Sequence, residues 1–311
     1  MTMEPYMNHY LTALVFTAAL SACSAQSLTD PVATATVPQP SEPILCTDNA
    51  GWNSPATPRQ IFGNSWYVGT CGISAILITS SQGHILIDSG TEKAAPQVAA
   101  NIEALGFKLQ DVKLLLLSHE HNDHAGGLAY LQQMTAAPLY ARAPADAVMR
   151  SGKNSRSDPQ FLELSAMPAM AKVTTIPDDQ SVTLGSLQIQ ALATPGHTPG
   201  STSWTWTSCD EKQCLNMAYI DSLTAISDHE YRYSDDNIHP GYLASFRRAL
   251  KQISQLPCDI LLTPHPGASA MWQRLGAEPT QALINPNGCR DYAENASLKL
   301  DKRLAEENSA G

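Results

Sequence analysis

Residues 112–124 read VKLLLLSHEHNDH. The run Val112–Leu117 is short, continuous and apolar, the pattern of a strand buried on both faces rather than one with a wet side. Directly after it, His119, His121, Asp123 and His124 put four metal-capable side chains into six residues. A strand fixes its last residue, and the turn beyond it can aim the side chains at i and i+2 to one side. His119 and His121 can then converge on one ion, while Asp123 and His124, further round the turn, reach a second. Imidazole nitrogens and carboxylate oxygens are ligands that Zn²⁺ accepts. The competing interpretation, a solvated histidine-rich loop, does not explain why the cluster begins where a buried strand ends.

Working outward, Ile73–Thr79 and His84–Asp88 are apolar runs joined by Ser80-Ser81-Gln82-Gly83, a hairpin signal. Ala94–Leu105 carries Ala, Val, Ile and Leu at helical spacing, with Gly106 as the stop, and Gly126-Gly127 opens another helix after the histidine cluster. Downstream, Val182–Leu184 and Leu187–Leu192 form a hairpin around Gly185, Thr202–Thr207 and Leu215–Ile220 are strands, and Tyr242–Ile253 is a helix. Asp259–Thr263 is a further strand and Asp291–Glu307 a charged terminal helix. The strands fall into two clusters, each followed by helices. That order predicts an α/β fold in which two sheets pack together with helices outside, as one domain over residues 44–311.

Two more histidines have comparable settings. His197 lies in Thr194-Pro195-Gly196-His197-Thr198-Pro199-Gly200, between strands, and His265 lies in Pro264-His265-Pro266-Gly267, just past one. Proline and glycine on either side stiffen or shape the backbone, which preorganises a ligand. Alone, each would be an ordinary loop histidine; beside the cluster they become candidate ligands. His9, His84, His229 and His239 have no such setting.

The ends and the cysteines speak to compartment. Leu11–Leu20 is a ten-residue apolar stretch, too short to span a bilayer and suited to the core of a signal peptide over residues 1–25. Cleavage is expected either after Ala25 or at Leu20-Ser21-Ala22-Cys23, which resembles a lipoprotein box that would lipidate Cys23. Residues 26–43, rich in Thr, Pro, Ala and Ser, have the composition of a disordered leader. Setting Cys23 aside leaves Cys46, Cys71, Cys209, Cys214, Cys258 and Cys289, an even number that suits disulfides in an oxidising compartment. Cys209 and Cys214 enclose a polar hairpin tip and are the natural local pair. A periplasmic or secreted protein follows, attached to a membrane only through a lipid anchor at Cys23 if one is present. The formal charge of −10 and the absence of any Lys/Arg cluster exclude a nucleic-acid binder.

The run Ser118–His124, with Ile87-Asp88-Ser89-Gly90 before it and Pro195-Gly196-His197 after it, resembles the metallo-β-lactamase superfamily over roughly residues 45–300. The resemblance implies an αββα sandwich with its metals at one edge between the two sheets. It implies two Zn²⁺ ions, the first held by His119, His121 and His197 and the second by Asp123, His124 and His265, with Asp88 supporting the ligand loop. It also implies the disulfides Cys46–Cys71 and Cys258–Cys289. Asp221-Ser222-Leu223-Thr224-Ala225, the Pro-His-Pro-Gly around His265 and the strand Trp204-Thr205-Trp206 look like the third subclass (B3). A first-subclass enzyme would have a cysteine ligand where Ser222 stands. Within B3, Ser222 and Thr224 would bind the substrate carboxylate, and the Gln160 loop resembles one that flanks substrate in imipenemase-like members.

The implied activity is hydrolysis of the β-lactam ring of penicillins, cephalosporins and carbapenems, conferring antibiotic resistance, by a hydroxide shared between ions about 3.5–4 Å apart. The substrate is a small molecule, and a monomer is expected. Two rivals stand beside this. Lactonases and thioesterases of the same fold carry the same histidine motif and add an aspartate bridging both metals, a role open to Asp221, which is otherwise a buried structural acid. A non-catalytic zinc-binding envelope protein would instead close its site with four protein ligands.

Overall fold

The computed structural model describes residues 44–276 and 278–309. The expected signal peptide, Cys23 and the leader to residue 43 lie outside the described residues.

In chain order the elements are β1 (Arg59–Phe62), β2 (Ser65–Tyr67), β3 (Ile76–Ile78), β4 (His84–Ile87), α1 (Ala95–Ala104), β5 (Val112–Leu116), α2 (Asn122–Ala125), α3 (Leu128–Thr135), β6 (Leu139–Arg142), α4 (Ala143–Ser151), β7 (Val173–Ile176), β8 (Ser181–Leu184), β9 (Leu187–Ala193), β10 (Thr202–Cys209), β11 (Cys214–Tyr219), α5 (Tyr242–Ser254), β12 (Ile260–Leu262), α6 (Met271–Leu275) and α7 (Gly288–Ser309). They build a seven-stranded sheet in the order β1 to β7 and a five-stranded sheet in the order β12-β11-β10-β9-β8. In the first sheet β1 to β4 are antiparallel and β4 to β7 parallel. The second is antiparallel except where β12 joins β11.

The two-residue period of strands explains the layering. Ile76, Ile78, Ile85, Ile87, Leu114 and Leu116 face the second sheet and meet Ile189, Trp204, Trp206, Met217, Tyr219 and Leu262. Their alternates Leu77, Leu86, Leu115 and Leu117 face outward and pack under α1 and α3 through Val98, Ile102, Leu128 and Leu131. On the far side, Ala218, Ile220 and Leu261 are covered by Phe246, Leu250 and Ile253 of α5 and by Ala293 and Leu300 of α7. The result is the helix–sheet–sheet–helix sandwich expected from the two strand clusters.

Three further points position the functional region. The expected run Val112–Leu117 forms strand β5 as far as Leu116, buried except at Lys113, and β4, β5 and β12 all end on the same edge of the sandwich. The sheets are pinned there: Trp204 Nε1 donates to the Leu117 carbonyl (2.8 Å) and the Thr202 amide to the Ser118 carbonyl (2.7 Å). Disulfides join Cys46 to Cys71, Cys209 to Cys214 and Cys258 to Cys289, the last tying the approach to β12 to α7.

Candidate metal centre

His119 and His121 follow the end of β5, His121 on extended backbone, and Asn122 then starts the single helical turn α2, on which Asp123 and His124 sit. His197 comes from the β9–β10 loop and His265 from the residues after β12. All four side chains of the motif are buried. One donor atom each from His119, His121 and His197 lies within 4.8 Å of the others, as is true of His119, Asp123 and His124. His265 joins the second cluster, its Nε2 being 3.1 Å from His124 Nε2 and 3.4 Å from Asp123 Oδ2. The sequence-predicted ligands therefore form two three-donor groups, His119–His121–His197 and Asp123–His124–His265, sharing one edge.

Each ring of the three-histidine group is oriented by a group on its other nitrogen, which decides which atom is left for a metal. Asp221 Oδ1 lies 2.7 Å from His119 Nδ1, and His119 Nε2 is buried with no protein partner among the described residues. Asp158 Oδ2 lies 3.0 Å from His121 Nε2, leaving Nδ1. Thr224 Oγ1 lies 2.9 Å from His197 Nδ1, leaving Nε2. An orphaned buried imidazole nitrogen is costly unless something fills it. His124 and His265 also turn nitrogens toward each other at hydrogen-bond distance. A divalent cation satisfies both arrangements, so the donor set fits a metal.

Electrostatics favour neutral rings at three of the histidines, whereas at His124 burial is outweighed by Asp123 and Asp88, which raise it. Burial, reinforced by the neighbouring histidines, drives His119 and His197 well below the ordinary imidazole value, and burial with His124 holds His265 at about 4. Both effects favour the neutral ring, whose lone pair a metal requires. Burial opposes ionisation of Asp123, but His124 and His265 outweigh it and hold the carboxyl below its usual range. Burial pushes Asp88 and Asp221 upward. A dication in the adjacent cluster is the counter-charge that would keep them ionised.

Asp88 adopts a left-handed backbone (φ 62°) at the end of β4. Its carboxylate accepts the Ser118 amide (2.6 Å), the Ser118 hydroxyl (2.7 Å) and the Tyr219 hydroxyl (2.7 Å). It thus braces the first residue of the ligand loop from both sheets, and it touches no donor atom of the metal-facing side. Asp221 sits behind the His119 ring, on the nitrogen opposite the metal-facing one, which is the geometry of a buried supporting acid rather than of a bridge. Thr224, expected beside substrate, accepts from His197 Nδ1–H and keeps its own O–H to donate, and the Ser222 hydroxyl has no protein partner among the described residues. Gln160 reaches the centre, its Nε2 3.4 Å from His197 Nε2.

Two supporting residues were not among those predicted from the sequence. Glu120, between two ligands, points the opposite way and accepts the Thr198 hydroxyl (2.8 Å) and the Gly200 amide (3.0 Å), tying the motif to the His197 loop. Its position at odd phase between converging histidines was the available clue. Asp158, in the α4–β7 connection, had none.

Comparison with known proteins fits this geometry. The metallo-beta-lactamase superfamily model matches residues 68–210. A solved metallo-β-lactamase, MIM-1 from Novosphingobium pentaromativorans, is 50% identical, with 84% of this chain and 94% of that chain covered at a TM-score of 0.79. MEM-A1, a subclass B3 enzyme isolated from a soil metagenome library, is 43% identical over 84% of this chain and 100% of that one, at a TM-score of 0.81. Among curated sequences, a probable metallo-hydrolase of Burkholderia pseudomallei (strain 1710b) is 30% identical over 200 residues, 60% of this chain. The chain spans 66% of that relative's length.

Proposed function

Because this chain belongs to the metallo-β-lactamase superfamily, we propose that it is a B3-type enzyme that uses two zinc ions to open the β-lactam ring of penicillins, cephalosporins and carbapenems. The observation that carries the proposal is the pair of three-donor groups sharing one edge. Three protein ligands with a position left open is the pattern of catalytic zinc, whereas structural zinc is closed by four. Zinc, when bound, supplies a water of lowered pKa, about 7, and polarises a carbonyl oxygen.

The chain's own residues do the positioning. Asp221, Asp158 and Thr224 fix the three rings of the first group, so their metal-facing nitrogens need no reorganisation. Ser222 and Thr224 offer their hydroxyls to the antibiotic's carboxylate, Thr224 also accepting from the His197 ring. Gln160 flanks the same ring from the opposite loop. A protonated water or Asp123 would supply the proton that the departing amide nitrogen requires. Release of ring strain in a four-membered amide lowers what these groups must supply.

The lactonase or thioesterase alternative needs Asp221 between the two donor groups, and its contact with His119 Nδ1 speaks against that. Three disulfides support an exported location, periplasmic or secreted, where β-lactams would be met and resistance conferred. Hydrolysis of nitrocefin, benzylpenicillin and imipenem should vanish with a chelator and return with zinc. Undiminished turnover by the metal-stripped protein would overturn the proposal, as would preference for an acyl-homoserine lactone or S-lactoylglutathione.

A further inference from the structure

We infer that Asp228, a buried carboxylate outside both donor groups, is the positioning residue that holds the 158–162 loop against the three-histidine group and so sets that group's hold on metal. The inference rests on the dinuclear assignment above. Asp228 is 6% exposed. Its Oδ2 accepts the Leu162 amide (3.0 Å), its Oδ1 accepts the amides of Glu230 and Tyr231 (both 3.0 Å), and its own amide donates to the Pro159 carbonyl (2.8 Å). Backbone groups of two separate segments thus meet on one residue.

The first segment is functional at both ends. Asp158 reaches His121 through Oδ2 and accepts the Gln160 amide through Oδ1 (2.8 Å), while Gln160 reaches His197. It lies between α4 and β7, a stretch with no strand or helix of its own. Apart from the bonds to Asp228, the hydrogen bonds of residues 155–163 among the described residues are local to the loop or run to His121 and His197. The second segment is firmly anchored. Glu307, near the end of α7, accepts the amides of Tyr233 (3.1 Å) and Ser234 (2.8 Å), and Arg303 Nη2 donates to Ser227 Oγ (2.6 Å). Asp228 therefore connects the loop to the rigid part of the molecule. Its removal should loosen Asp158 and Gln160 together, leaving Asp123, His124 and His265 untouched.

The test is zinc competition against a chromophoric chelator, on the full-length apoprotein and its Asp228→Ala variant. Supporting residues of metal ligands typically govern affinity by about 10–100-fold, and the low end is expected for one acting through Asp158. Asp228→Ala should weaken one zinc position about tenfold and leave the other unchanged, with KM rising more than kcat falls. Asp228→Asn, which keeps one acceptor oxygen, should be intermediate, and it replaces the alanine variant if that fails to fold. Ile102→Val, which thins the core under α1, is the control: it should lower Tm and alter neither affinity. Wild-type affinity at both positions in Asp228→Ala would overturn the inference, as would equal weakening of both. A wild-type protein without β-lactam turnover would defeat the proposed function, and the zinc titration would still decide the role of Asp228.

Discussion

Replacing Asp221 by asparagine keeps its volume and leaves an oxygen able to accept from His119 Nδ1–H, but removes a negative charge from a fully buried site. The wild-type contact is 2.7 Å between two side chains with no solvent exposure. A hydrogen bond to a charged partner contributes about 1.5–3 kcal/mol and a neutral one about 1 kcal/mol. The substitution should therefore cost about 1 kcal/mol of His119 donor strength, or about fivefold in zinc affinity at the three-histidine group. Asp221→Ala removes the acceptor altogether, leaving a buried Nδ1–H unpaired and the ring free to turn. A loss of about 10–100-fold is expected there. Competition with a chromophoric chelator at pH 7 measures both, with circular dichroism confirming that the fold is intact. Only one of the two positions should respond. Loss of metal from the Asp123–His124–His265 group in Asp221→Asn would mean that Asp221 bridges the ions. Wild-type affinity in Asp221→Ala would mean that packing alone orients His119.

Two further outcomes can be checked directly. Ser222→Ala should raise KM for a penicillin several-fold with kcat little changed, because it removes one neutral hydrogen bond of about 1 kcal/mol from the proposed carboxylate contact; steady-state kinetics decides it. Glu120→Gln should lower stability by about 1–3 kcal/mol in thermal unfolding, since the charge-assisted bond from Thr198 weakens and the amide group must still face the Gly200 amide.

How legible the molecule was depended on how local each signal is. The hairpins around Gly83 and Gly185, the strand before the histidines and helices α1, α5 and α7 follow from period and turn chemistry, which a short window contains. Strands β1, β2, β6 and β7, together with α4 and α6, escaped. They are short, and β6 with its Tyr140 and Arg142 has no pattern apart from the partners that flank it. The turn α2 was also hidden, because the residues that form it are the ones the metal needs. At the site, ligands were readable because few side chains can bind a metal and their backbone settings are distinctive. Their supports were not: a single aspartate such as Asp158 gives no hint of which ring nitrogen it will meet across the fold.

The ligands hang from both sheets, with His119 to His124 on one and His197 and His265 on the other. A bound ion therefore spans the seam that unfolding must open, and an unfolded chain cannot reproduce the site. Such linkage adds about 2.7 kcal/mol when free metal is a hundredfold above its dissociation constant, and only about 0.4 kcal/mol when it merely equals that constant. In metal-poor surroundings the chain would lose abundance as well as turnover, since proteases remove whatever fraction stands open. Metal supply would then act on this protein's lifetime, through the same six side chains that serve its chemistry.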